Sequence, residues 1–138
     1  MSARRILILK TGETLPSVRA KFKDFEHWIA LGLGLSLDDV EVVSVYQGEK
    51  LPASESTAGV VVTGSPEMVT DRADWSEASA AWLAKIVRED SVPVLGLCYG
   101  HQLLAHGLGG EVGANPRGRE MGTQTVSFAK ASADVSSY

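Results

Sequence analysis

Gly96-Leu97-Cys98-Tyr99-Gly100-His101-Gln102 is the stretch on which the fold turns. Val92-Pro93-Val94-Leu95 runs into it, and the apolar segment from 92 to 97 reads as a buried strand. Beyond it, Tyr99 to Leu108 reads as a short helix closed by Gly109-Gly110. The cysteine therefore falls where a strand passes sharply into a helix. A nucleophile at such a turn sits in strained backbone, and the positions two before and two after it must be small. Glycines at 96 and 100 meet that need, as in the G-x-S-x-G elbow of serine hydrolases. Unpaired amides and the positive end of a helix dipole favour a thiolate at this point. A lone cysteine in an apolar run is ordinarily a small buried hydrophobe. The flanking glycines, the helix start and the carboxyl end of a strand argue here for an exposed thiol.

Working outward, short β-branched runs alternate with helical stretches. Arg4 to Lys10 is a mostly apolar run ending at Thr11-Gly12 and predicts a buried first strand. From Pro16 the period changes, and Val18, Phe22, Phe25 and Ile29 mark one helical stripe that ends near Gly32 or Gly34. Val40 to Tyr46 predicts a second strand, and polar Gln47 to Ala58 a loop. Gly59 to Thr63 predicts a third strand, stopped by Gly64-Ser65-Pro66. A helix is expected from about Trp75 to Arg88, with Trp75, Ser79, Trp82 and Ile86 on one side. Glu111-Val112 and Thr123 to Phe128 are candidate further strands. Ala129 to Tyr138, dominated by alanine and serine, reads as a loose or cut tail to a domain spanning 1–128. This alternation predicts an α/β fold with a mostly parallel sheet covered on both faces. The working site of such a sheet lies beyond the carboxyl ends of its strands, so the loops after Lys10, Thr63 and Leu97 matter most.

Bulk composition narrows the function. The 138 residues are 44% apolar and 22% charged, which is ordinary for one globular domain. A formal charge of −4, with scattered lysines and arginines, argues against a nucleic-acid partner. No run approaches the ~18 apolar residues of a membrane-spanning helix. The apolar start at Ile6 is too short for a signal-peptide core. A single cysteine excludes an internal disulfide, so a reduced thiol and a cytoplasmic address are expected.

The motif Gly-Leu-Cys-Tyr-Gly-His-Gln at 96–102 resembles the nucleophile motif of class I glutamine amidotransferases, particularly those related to the amidotransferase domain of GMP synthase. Val61-Val62-Thr63-Gly64-Ser65-Pro66 is similar to that family's oxyanion loop, which commonly ends in Gly-Gly-Pro. Leu108 to Val112 and Asn115 to Gly122 resemble the stretch that follows the nucleophile helix. The resemblance implies a flavodoxin-like three-layer αβα fold and needs neither metal nor cofactor. It implies that Cys98 attacks the side-chain amide of glutamine and passes ammonia to an acceptor through a glutamyl thioester. Backbone amides near Gly64 and at Tyr99 are the implied oxyanion donors. Gln102 and Ser65 are the implied substrate contacts, Ser65 standing where a second glycine is common. Glutamine is the implied substrate, and a synthetase domain or chain the implied ammonia acceptor.

One part of the machinery has no match. The family supplies its base and the carboxylate that orients it from a downstream His-x-Glu. The histidines here are His27, His101 and His106, and none lies after 106. His101 belongs to the nucleophile motif itself, and the elbow throws the thiol away from the helix body. His106 lies about 140° around the helix from His101, so the two make no metal pair. The chain reads as truncated relative to that family, with slow labelling of Cys98 expected and little or no turnover. A non-enzymatic interaction module, or a related cysteine hydrolase of γ-glutamyl amides, are the other readings.

Overall fold

The computed structural model describes residues 4–128; the expected loose tail, 129–138, lies outside the described residues. Among these residues, four strands form one parallel sheet in the order β2-β1-β3-β4. They are β1 (Arg5–Lys10), β2 (Val40–Ser44), β3 (Thr57–Val62) and β4 (Val94–Gly96). The helices are α1 (Pro16–Phe22), α2 (Phe25–Gly32), α3 (Asp74–Arg88) and α4 (Tyr99–Gly107). β1 is central, and Leu7, Ile8 and Leu9 are wholly buried, as a strand flanked on both faces requires. Alternation along it splits the core: Leu7 and Leu9 pack with Leu83, Ile86 and Leu103 of α3 and α4, while Ile8 packs with Ala30 of α2. Helices therefore lie on both sides of the sheet, which is the expected three-layer, flavodoxin-like α/β arrangement.

The expected single helix from Pro16 to Gly32 is two. Lys23 turns to φ 69°, and Asp24 starts α2 afresh. One carboxylate explains the break. Asp24 Oδ1 accepts from Phe25 N at 2.7 Å and from Thr14 N at 3.0 Å, while Oδ2 takes Lys10 Nζ at 3.1 Å. Lys10 also pairs with Glu26 Oε2 at 3.0 Å. A local cap joined to a buried ion pair outweighs helix continuity, and the shared stripe dissolves: no residue of α1 is buried, and Phe22 is exposed.

Other boundaries shift for similar reasons. β2 ends at Ser44, since Val45 to Gln47 form a 3-10 turn. β3 begins two residues earlier than Gly59, at Thr57. On α3 the buried face is Ser76, Ser79, Ala80, Leu83, Ala84 and Ile86, so Trp75 and Trp82 flank it rather than centre it. Glu111-Val112 and Thr123 to Phe128 form no strand, and Val126 and Phe128 are exposed. β4 is shorter than the segment 92–97 and is not buried on both sides. Leu95 is 55% exposed, and it faces a cavity that it shares with Phe25, Trp28 and Ile29 of α2.

Candidate active site

The chain order of the sheet reverses between β1 and β3, which puts the loop after Thr63 at the switch point beyond the strand ends. Cys98 stands beside it, exposed, at the N-terminus of α4. Its backbone is at φ 54°, ψ −108°, a conformation costly for any residue but glycine, and one that marks functional turns. The neighbours enforce the bend. A Cβ on Gly96 would lie 2.6 Å from the Gly100 carbonyl, and one on Gly100 would lie 2.6 Å from Val62 O. Leu97 N donates to Val62 O at 3.0 Å, which fixes the end of β4 against β3. The thiol is thus lifted clear of the sheet, as the motif predicts.

Gly64 brings the second loop alongside: a Cβ built on it would stand 3.8 Å from Cys98 Cβ. Its carbonyl oxygen is turned inward, 3.1 Å from Thr11 Oγ1 and 3.0 Å from Thr63 Oγ1. Among the described residues, the amides of Gly64, Ser65 and Tyr99 have no hydrogen-bond partner. Unpaired donors on both sides of an exposed thiol are what a developing oxyanion requires. Cys98, Gly64 and Ser65 line one end of a cavity of about 650 Å³. Its other walls are apolar: Phe25, Trp28 and Ile29 from α2, and Val61 and Leu95 from the sheet.

The two sequence-derived substrate contacts are placed differently with respect to this cavity. Gln102 is exposed on α4, one turn beyond Cys98, and its side chain does not line the cavity. Ser65 lines it, but its Oγ accepts from Glu67 N at 3.1 Å and faces Gly12. Among the described residues, no histidine lines the cavity. His101 is exposed, His27 sits on α2, and His106 Nε2 is 3.0 Å from the Glu77 carboxylate. Sequence reasoning missed the Thr11–Thr63 pair, because two strand-end threonines look like any β-branched residues until the strands are paired.

Tyr99 shows why its position is fixed. Its hydroxyl is 2.7 Å from Ser76 Oγ in the core, and its ring stacks on Trp75 at 6.0 Å. Burial raises the phenol's pKa above its ordinary 10.0; the Ser76 hydrogen bond opposes that, and nearby carboxylates add to it. Tyr99→Phe is expected to cost about 1–2 kcal/mol in a denaturant titration, by orphaning the Ser76 hydroxyl. The backbone amide at 99 is untouched, so alkylation of Cys98 should proceed at the wild-type rate.

A strand-to-helix elbow bearing a thiol, at the carboxyl edge of a parallel sheet, defines an α/β domain of the nucleophile-elbow type. Residues 22–136 match the family Glutamine amidotransferase class-I, and the chain belongs to that family. It is 50% identical over 70 residues to a glutamine-hydrolysing GMP synthase of Aeropyrum pernix, a match covering 50% of this chain and 12% of that protein. It is 31% identical over 80 residues to gamma-glutamyl peptidase 3 of Arabidopsis thaliana, covering 58% and 32% respectively. A solved glutamine amido transferase from Methylobacillus flagellatus superimposes with a TM-score of 0.62 at 25% identity, over 83% of this chain and 43% of that one. The chain thus spans less than half the length of each of these relatives. No helix among the described residues is long and apolar enough to cross a membrane.

Proposed function

We propose that this chain is the nucleophile-bearing part of a glutamine-hydrolysing site, with Cys98 as the attacking thiol. The observation that carries the reading is the exposed sulfur on a φ 54° elbow, flanked by the free amides of the Gly64-Ser65 loop and Tyr99. In the proposed step the sulfur bonds to the amide carbon of glutamine and the carbonyl electron pair moves to oxygen. The amides near Gly64 and at Tyr99 hold that oxyanion. Collapse breaks the C–N bond, and the nitrogen leaves as ammonia after taking a proton. Water then cleaves the glutamyl thioester. Gln102 and Ser65 remain the proposed holders of the amino-acid end. A synthetase domain or partner, in a cytoplasmic setting, is the proposed receiver of ammonia.

Among the described residues no histidine stands at this cavity to carry the proton. The 138-residue chain is therefore expected to be labelled but to turn over little. A diazoketone analogue of glutamine should modify Cys98 faster than a simple alkylator of equal reactivity, and glutamine should compete. Cys98→Ser should abolish the mass shift. Labelling that glutamine fails to slow would overturn the reading. Steady ammonia release near ~1 s⁻¹, an ordinary enzymatic rate, would overturn the inactivity.

A second reading, hydrolysis of γ-glutamyl amides without ammonia delivery, draws on the apolar walls beside Cys98, which suit a bulkier leaving group than ammonia. Competition by γ-glutamyl anilides stronger than by glutamine would favour it.

A further inference from the structure

Thr11 and Thr63 meet at the carboxyl ends of β1 and β3, both with no exposed surface. Thr11 N donates to Thr63 Oγ1 at 3.0 Å. Thr11 Oγ1 is 2.9 Å from Thr63 O, 3.2 Å from Thr63 Oγ1 and 3.1 Å from Gly64 O, and Thr63 Oγ1 is 3.0 Å from Gly64 O. Each hydroxyl has one proton to give. Two protons therefore serve two carbonyls, with the shortest contacts running from Thr11 to Thr63 O and from Thr63 to Gly64 O.

The direction of the next amide follows. The peptide joining Gly64 to Ser65 is trans, which sets its N–H antiparallel to its C=O. With the carbonyl drawn toward the hydroxyl pair, the Ser65 amide faces away from it and has no partner among the described residues. Gly12 closes the joint from behind. A Cβ there would lie 2.8 Å from both Pro66 Cδ and Ser65 Oγ, so the loop after β1 presses on the loop after β3.

We propose that Thr11 and Thr63 are positioning residues for the oxyanion site: their paired hydroxyls fix the Gly64 carbonyl and so aim the Ser65 amide into the cavity shared with Cys98. This rests on the glutaminase reading above. Neither threonine touches a reacting atom. Each acts through the peptide it orients.

The test uses two reagents on the 138-residue chain. Iodoacetamide alkylates a thiolate by displacing iodide and builds no oxyanion. Glutamate γ-semialdehyde adds reversibly: a C–S bond forms, the C=O pair moves to oxygen, and that oxygen takes the proton the sulfur gives up. The quantity read by mass spectrometry is the aldehyde concentration that halves Cys98 alkylation. Thr11→Val and Thr63→Val should raise it about tenfold, less than outright loss of an oxyanion donor. Alkylation without aldehyde should stay at the wild-type rate, and Thr11→Ser should restore wild-type protection. If one valine variant fails to fold by circular dichroism, the other, compared with its own serine counterpart, decides. Equal protection across wild type and valine variants overturns the positioning role and leaves the glutaminase reading intact. No protection in wild type overturns both.

Discussion

Gly100→Ala should unfold the site and much of the domain with it, at a cost of at least about 3 kcal/mol in a denaturant titration. The added methyl would lie 2.6 Å from Val62 O, 2.7 Å from Val62 Cβ and 2.9 Å from Val62 C. A flexible side chain could swing aside from such a contact, but Val62 is wholly buried in β3, and its carbonyl already holds Leu97 N. Relief must come from separating α4 from the sheet, and that breaks the packing of Leu103 against Leu7, Leu9 and Leu83. Gly32→Ala supplies the contrast, because nothing stands within 4 Å of the added atom. In the last turn of α2 it should be neutral or should stabilise by up to about 1 kcal/mol. If the two variants unfold at similar denaturant concentrations, the close approach at Gly100 is not what fixes the elbow.

The next largest effect is expected at Lys10. This residue is 7% exposed and holds Asp24 and Glu26 at the carboxyl end of β1. Burial presses its pKa down, but the hydrogen bonds and charges of Glu26 and Asp24 win, and the net value stands above 10.5. For Asp24, burial pushes up; the amides of Phe25 and Thr14 and then Lys10 push down harder, so the net value lies below 3.8. Lys10→Met leaves two carboxylates buried without their cation, which should cost about 3–5 kcal/mol at neutral pH. The pH dependence has a fixed sign. A depressed Asp24 contributes stability above pH 3.8 that is lost as pH falls through the lower folded value. A raised Lys10 contributes stability below pH 10.5 that is lost as pH rises through the higher folded value. In the variant the carboxylates protonate readily, so its deficit should shrink from pH 7 toward pH 4. A deficit that stays constant over that range would show that the ion pair does not hold this corner together.

The same cluster bears on the site, since Asp24 starts the helix whose Phe25, Trp28 and Ile29 wall the cavity by Cys98. A cap 74 positions before the nucleophile in sequence thus sets one side of its surroundings. It also shows where periodicity misleads. Val18, Phe22, Phe25 and Ile29 keep helical spacing across residues 23 and 24, where the chain breaks. The hydrophobic pattern carries no record of a helix-capping carboxylate drawn toward a lysine on β1.

The amino-acid sequence by itself determined the parallel α/β order and the elbow. Strand and helix differ in the period of their apolar residues, and glycines at 96 and 100 admit a bend that side chains would block. It also fixed the three histidines at positions 27, 101 and 106. Tertiary structure alone decided that α1 and α2 part at Asp24, and that Leu95 and Leu97 stay exposed beside Cys98. It decided too that Thr11 meets Thr63 behind the Gly64 carbonyl. Those outcomes depend on contacts between residues tens of positions apart, whose energies are set by burial and direction rather than by local spacing.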